Sequence, residues 1–133
     1  MTPQEKIDAF LSIGPYAVAG ASKDRTKYGN KVLRCYQQHH LTAYPINPRE
    51  PEIEGLTCYP DLAALPEPVQ GISIITPPAV TEGIVEQAAE AGVQRLWMQP
   101  GAESPAAVSR AEALGLSVIS GGPCILVVLG YRG

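Results

Sequence analysis

"YAVAGASKDRTKYGNKV", residues 16–32, holds the decision about the fold. Tyr16 to Gly20 read as a buried strand that turns at a glycine. A cation-rich excursion follows, and residues 29–39 read as a helix with Val32, Leu33 and Tyr36 on one face. Strand, glycine turn and helix in that order are the first half of a βαβ unit. In such units, backbone N–H groups and the helix dipole meet a phosphate. The G-x-G-x-x-G spacing is missing, because eight residues separate Gly20 from Gly29. The turn therefore wraps a ligand differently from a tight pyrophosphate loop.

Outward from this stretch the alternation continues. Thr2-Pro3-Gln4-Glu5 forms a capping box with proline at the first helical position, so a short helix carrying Ile7, Phe10 and Leu11 precedes the first strand. "LTAYPIN" (41–47) is a second strand, followed by a loop region, "PREPEIEGLTCYP". Asp61 caps a short turn, "LAAL", closed by Pro66. "GISIIT" (71–76) is the third strand. Thr76-Pro77 starts a helix with a stripe of Val80, Ile84, Val85 and Ala88, and Gly92 stops it. "QRLWMQ" (94–99), a helix from Ser104-Pro105 to Gly115, and "LSVIS" (116–120) complete the pattern. "ILVVL" near the end fits either a sixth short strand or a helical turn. Strands that are near-continuous apolar runs, alternating with helices, indicate a parallel sheet covered on both faces. Right-handed crossovers then give an α/β, doubly wound, Rossmann-like sheet of five or six strands in one three-layer domain spanning 1–133.

Composition narrows the function. The 133 residues suit one domain with its own core. The net charge of -3 gives no general attraction to nucleic acid or an anionic membrane. No apolar run reaches the ~20 residues of a membrane span, and the polar start has no signal-peptide pattern. The 3 cysteines show no Cys-x-x-Cys spacing, which fits a reducing cytoplasm and neither a zinc site nor a disulfide framework.

In a doubly wound sheet the ligand crevice lies at the carboxyl ends of the strands. The candidates are therefore Gly20, Ala21 and Ser22, then Asn47, Pro48 and Arg49, then Thr76, Pro77 and Pro78, then Gln99 and Gly101, and finally Gly121 to Cys124. Lys23, Arg25, Lys27, Lys31 and Arg34 are five cations against one acid, Asp24, a local excess of +4 beside the first turn. Tyr28 and Gly29 open the helix that follows it. Arg49 stands where NAD binders place an acid for the ribose hydroxyls. A cation there suits a ribose with an extra phosphate, unless Arg49 simply pairs with Glu50, Glu52 or Glu54. Trp97 reads as core, with Gln99 and Gly101 facing the crevice. His39 and His40 close the first crossover helix, away from the crevice. No catalytic triad, carboxylate pair or metal-ligand spacing stands out, so no catalytic residue is assigned.

The segments "VAGAS…YGNKV", "YPINP", "EIEGLTCYPDLAALP", "IITPPA", "AGVQRLWMQPGAES" and "VISGGPC" together resemble the small single-domain CoA-binding proteins. They are also similar to the amino-terminal CoA-binding domain of the succinyl-CoA synthetase alpha subunit. The resemblance implies a Rossmann-like domain that holds coenzyme A across its strand ends. The family's phosphate loop falls on Gly20, Ala21, Ser22 and Lys23, its basic residue on Arg49, its third-strand contacts on Ile75, Thr76 and Pro77, and its late cysteine on Cys124. Two departures stand out. Thr76 replaces an arginine of many small members, and Gly122-Pro123-Cys124 replaces their Asp-Arg-Cys. The synthetase's phosphohistidine belongs to a second domain, for which this chain has no room.

Three functions are therefore expected in order. The first is a stand-alone CoA or acyl-CoA carrier, sensor or accessory domain without evident catalysis, as a homo-oligomer or with a partner subunit. The second is an NADP-type oxidoreductase fragment. The third is a non-binding interaction module of the same fold.

Overall fold

The computed structural model describes residues 1–133. Helix α1 (Pro3–Ser12) begins on the expected capping box, with Thr2 Oγ1 accepting from Glu5 N and Glu5 Oε1 accepting from Thr2 N. It leads to β1 (Tyr16–Ala19), α2 (Tyr28–Gln38) and β2 (Ala43–Ile46). A hairpin of β3 (Glu52–Ile53) and β4 (Leu56–Thr57) precedes a 3-10 turn, Leu62–Ala64, which Asp61 caps through Ala64 N. Then come β5 (Gly71–Ile74), α3 (Pro78–Ala91), β6 (Arg95–Met98), α4 (Pro105–Ala113) and β7 (Ser117–Ile119).

Five strands form one parallel sheet in the order β2-β1-β5-β6-β7. Side chains alternate between two buried layers, which explains the unbroken apolar strands. Ala17, Ala19, Ile72, Ile74, Leu96 and Met98 pack with α3 and α4. Tyr16, Val18, Trp97 and Ile119 face α1 and α2 on the other side. The polar exception is Ser73, whose hydroxyl lies 2.7 Å from the buried Tyr36 hydroxyl. No helix is long and apolar enough to cross a membrane.

The structure corrects the sequence reading at three places and decides between its two alternatives for "ILVVL". The loop after the second strand contains the β3–β4 hairpin, closed by Glu54 and Gly55 at φ +50° and +78°. Two successive positive φ angles identify a tight I′-like turn, but two-residue strands are too short to display alternation. "ILVVL" is not a sixth strand. Leu126–Gly130 form a π turn with Leu126 and Leu129 packed on the α1/α2 layer. Helix α3 begins at Pro78, and Thr76 instead places its hydroxyl 2.7 Å from that of Thr81. Val80 leaves the buried stripe, which runs Thr81, Ile84, Val85 and Ala88. That set keeps the i, i+3, i+4, i+7 period, and Val80 falls one position outside it.

One junction joins the first strand, the third sheet strand in chain order and the first crossover helix. A Cβ at Gly20, where φ is +89°, would lie under 3.0 Å from the Ile75 carbonyl oxygen. A Cβ at Gly29 would lie under 3.0 Å from the Gly20 carbonyl oxygen. Both obstacles are backbone, which cannot swing aside. Gly29→Ala should therefore lose about 1–3 kcal/mol or more from overpacking. Gly83→Ala, in α3 with no atom near the added methyl, should gain about 0.5–1 kcal/mol. Urea midpoints of the two variants check the contrast, and equal effects would contradict this account of the junction.

Candidate binding site at the strand ends

The sheet order places β1 between β2 and β5, so successive crossovers leave it in opposite directions. The crevice opened by that reversal is where such folds bind ligands. A cleft of about 380 Å³ lies there. Ala19 and Gly20 line it from β1, Ile46, Asn47 and Pro48 from the end of β2, and Thr76 from beyond β5. Pro60, Val80 and Ile84 give it an apolar wall, with Asp61 and Gln87 at its polar side.

The first turn is held from several sides. Gly20 N donates to Ile46 O at 3.2 Å, which joins the turn to β2. Asn47 Nδ2 donates to Ala21 O and Asn30 Nδ2 to Ser22 O, each at 2.9 Å. Ser22 Oγ accepts from Asp24 N at 3.1 Å. Asp24 Oδ1 accepts from both the backbone and the hydroxyl of Thr26, and these bonds hold its carboxyl below the ordinary aspartate range. The N–H groups of Ala21, Ser22 and Lys23 have no protein acceptor.

The cations around the turn are more engaged than their sequence suggests. Lys23 pairs with Glu50 and Arg25 with Glu54, both at 3.4 Å. Lys31 lies 5.3 Å from the centre of the exposed Tyr28 ring. Arg34 donates to Asn30 Oδ1 at 2.7 Å and to Arg25 O. The two ion pairs are exposed on the cation side, so each contributes less than about 1 kcal/mol and exchanges readily. Arg49 behaves differently. Its N–H donates to Asn47 Oδ1 at 2.8 Å, and its exposed side chain makes no ion pair: Glu50 and Glu54 serve other cations, and Glu52 pairs with none.

The residues expected at the crevice separate into two groups. Gly20, Asn47, Pro48 and Thr76 line the cleft, with Ala21, Ser22, Lys23 and Arg49 following in the same turns. Ile75 is half-buried, directs its carbonyl at Gly20 and packs its side chain on the α1/α2 layer, whereas Pro77 is exposed. Gln99, Gly101 and Cys124 do not line the cleft. Gln99 is 3% exposed, correcting the expectation that it faces the crevice. Its Oε1 accepts from Ile125 N at 2.8 Å and its Nε2 lies 3.3 Å from Cys124 Sγ. With Trp97 Nε1 donating to Pro123 O, it fastens the loop after β7 to the end of β6. Gly101 is exposed and its N–H donates to Glu103 Oε1 at 3.2 Å. Burial, reinforced by Cys124, pushes the Cys35 thiol up to about 11.

Three participants were missed. Asn30 is fully buried and joins Ser22, Arg34 and Glu54, which accepts from its Nδ2 at 3.0 Å. Its signal was an amide directly after Gly29 in a first helical turn. Val80 and Pro60 form the apolar wall, and only the tertiary fold brings them together.

A family model described as a CoA binding domain matches residues 15–130. The ADP-forming acetate–CoA ligase I of Archaeoglobus fulgidus is 33% identical over 78 residues, which are 59% of this chain and 11% of that protein. A conserved hypothetical protein from Pyrococcus furiosus superposes with a TM-score of 0.82 at 40% identity, covering 87% of this chain and 99% of that one. The dinucleotide-forming acetyl-coenzyme A synthetase 1 of Ca. Korarchaeum cryptofilum gives a TM-score of 0.68 at 33% identity, covering 77% and 25%. The chain matches between 11% and 20% of the length of the acetate–CoA ligases.

The role of Gln99 is directly measurable. Gln99→Leu keeps the side-chain volume but leaves the Ile125 N–H without its acceptor, at a cost of about 1–3 kcal/mol. Hydrogen exchange at Ile125 should accelerate in this variant beyond the global change, and unchanged protection there would contradict the fastening role.

Proposed function

The chain belongs to the CoA-binding domain family, and on that premise we propose that it holds coenzyme A or an acyl-CoA at the carboxyl ends of β1, β2 and β5. The pyrophosphate lies on the first turn, against the N–H groups of Ala21, Ser22 and Lys23 and the Ser22 hydroxyl. Arg49, helped by the cations of 23–34, takes the 3′-phosphate. The surface of Thr76, Pro77, Pro78 and Val80 borders the apolar parts of the ligand. The observation that carries this reading is Arg49, an exposed cation without a carboxylate partner that directly follows Asn47 and Pro48, which line the cleft together with Gly20. A phosphate-bearing ribose satisfies it better than the plain ribose of NAD.

The domain acts as a carrier, a sensor or an accessory to a partner subunit, without chemistry of its own. The ligases it resembles are named as acetate–CoA ligases, one of them as an alpha subunit, which supports an association with further domains or chains. Three free cysteines fit a cytoplasmic setting.

Thermal melting with CoA, dephospho-CoA, NADP and NAD at equal concentration tests the reading. A ligand at about 100 times its Kd adds about 2.7 kcal/mol. CoA should stabilise most and NAD least. Arg49→Ala should weaken CoA by about tenfold or more, as expected for a lost bond to a charged group, and leave dephospho-CoA nearly unchanged. A CoA shift no larger than that of NAD overturns CoA binding, and a larger shift with NADP favours the oxidoreductase reading. Equal weakening of CoA and dephospho-CoA by Arg49→Ala leaves CoA binding intact and removes the 3′-phosphate role of Arg49.

A further inference from the structure

We infer that Asn30 and Asn47 are positioning residues, each holding one carbonyl of the first turn so that the next N–H faces an incoming phosphate. The inference rests on the phosphate reading of that turn. It concerns two side chains that set the turn's donors without supplying any.

A trans peptide is planar, and its C=O and the following N–H point in opposite directions. Asn47 holds Ala21 O at 2.9 Å, so the Ser22 N–H turns away from Asn47. Asn30 holds Ser22 O at 2.9 Å, so the Lys23 N–H turns away from the buried Asn30. The Gly20 carbonyl lies against Gly29, which turns the Ala21 N–H away from α2. Three consecutive donors are thus left without protein acceptors. Three successive N–H groups without acceptors are the donors that an anion-binding concavity requires.

The amide orientations are settled by what each oxygen accepts. Asn30 Oδ1 takes Arg34 Nε at 2.7 Å, which commits its nitrogen to Ser22 O and Glu54 Oε2. Asn47 Oδ1 takes Arg49 N at 2.8 Å, which commits its nitrogen to Ala21 O. Aspartate at either place keeps the acceptor and loses the donor. Asn30 is 0% exposed, so its influence on a ligand passes through the turn.

The test uses the full 15N-labelled chain titrated with inorganic pyrophosphate and with CoA. In the unmodified protein the amides of Ala21, Ser22 and Lys23 should move with either probe. Asn47→Asp should suppress chiefly the Ser22 response and Asn30→Asp chiefly that of Lys23. Each should weaken pyrophosphate by about tenfold, the scale of one unsatisfied polar group. Asn47→Leu and Asn30→Leu, which add no charge, should repeat the pattern. A fall seen with aspartate but not leucine overturns the inference, as does an equal fall at all three amides that simply follows lost thermal stability. Full responses in both variants overturn it too. Where the variants of one asparagine do not fold, those of the other decide by the amide assigned to it, and pyrophosphate shifts in the unmodified protein confined to residues outside 21–23 overturn the inference in any case. If pyrophosphate moves the three amides while CoA does not bind, the positioning role stands and the coenzyme A reading falls.

Discussion

The backbone contact among Gly20, Gly29 and Ile75 is the constraint on which the rest of the molecule depends. It brings the end of β1, the end of β5 and the first turn of α2 together with no side chain between them. Once these three are joined, the residues between Gly20 and Gly29 cannot run along the sheet and must leave it as a loop. In a tight dinucleotide turn, three closely spaced glycines share the work of turning, approaching the phosphates and packing helix on strand. Here Gly20 turns the chain and Gly29 permits the helix–strand contact. The intervening loop supplies Ser22, Lys23 and Arg25. The altered spacing thus has a structural meaning: the turning and helix-packing roles of the first and last glycines are kept, and a longer, positively charged segment separates them.

That loop is balanced electrostatically by the region after β2. Glu50 pairs with Lys23 and Glu54 with Arg25, so two acids of "PREPEIEG" and two cations of "SKDRTK" tie the loop to the segment after β2 by two separate pairs. At an effective dielectric constant near that of water, a pair at this separation is worth about 1 kcal/mol. Such pairs can order a loop without holding it permanently. The β3–β4 hairpin matters for the same reason. It carries Glu54 to Asn30 and Arg25, and Gln37 Nε2 donates to the Glu54 carbonyl at 3.2 Å, tying the hairpin to α2.

Much of the fold was legible because the physics acting on it is local and periodic. Tyr16–Ala19 and Gly71–Ile74 are wholly buried, and their apolar runs say so directly. Thr2, Asp61 and Ser104 announce their caps, and each accepts the expected backbone N–H. The β3–β4 hairpin escaped because its turn uses Glu54-Gly55 and its strands are two residues long. The positions of the first turn and of Arg49 were also legible, since topology alone fixes which end of the sheet the residues after a strand occupy. What remained hidden was side-chain direction. Gln99 follows β6 as a crevice residue would, yet both ends of its amide are taken by the segment 124–125. A strand position specifies which end of the sheet a residue occupies, but hydrogen-bond demand decides where its side chain turns.

That distinction also explains the division of labour among three amides, two directly after strands and one in the first turn of α2. Asn30, Asn47 and Gln99 are polar residues in or beside buried surroundings, and each satisfies a backbone group that the sheet itself cannot reach. Chains leaving a parallel sheet lose their ladder partners at its carboxyl edge, where the crevice forms. Buried backbone groups there need side-chain partners, at about 1–3 kcal/mol for each one left unmade. The amides meet that demand selectively. Gln99 closes the β6–β7 side by taking the Ile125 N–H. Asn30 and Asn47 take carbonyls and leave N–H groups free on the β1 side. An edge whose carbonyls are satisfied and whose N–H groups are not has a positive character before any lysine or arginine is counted. The cations of the loop strengthen that polarity, and their sequence made it visible, but the two asparagines establish it in the backbone.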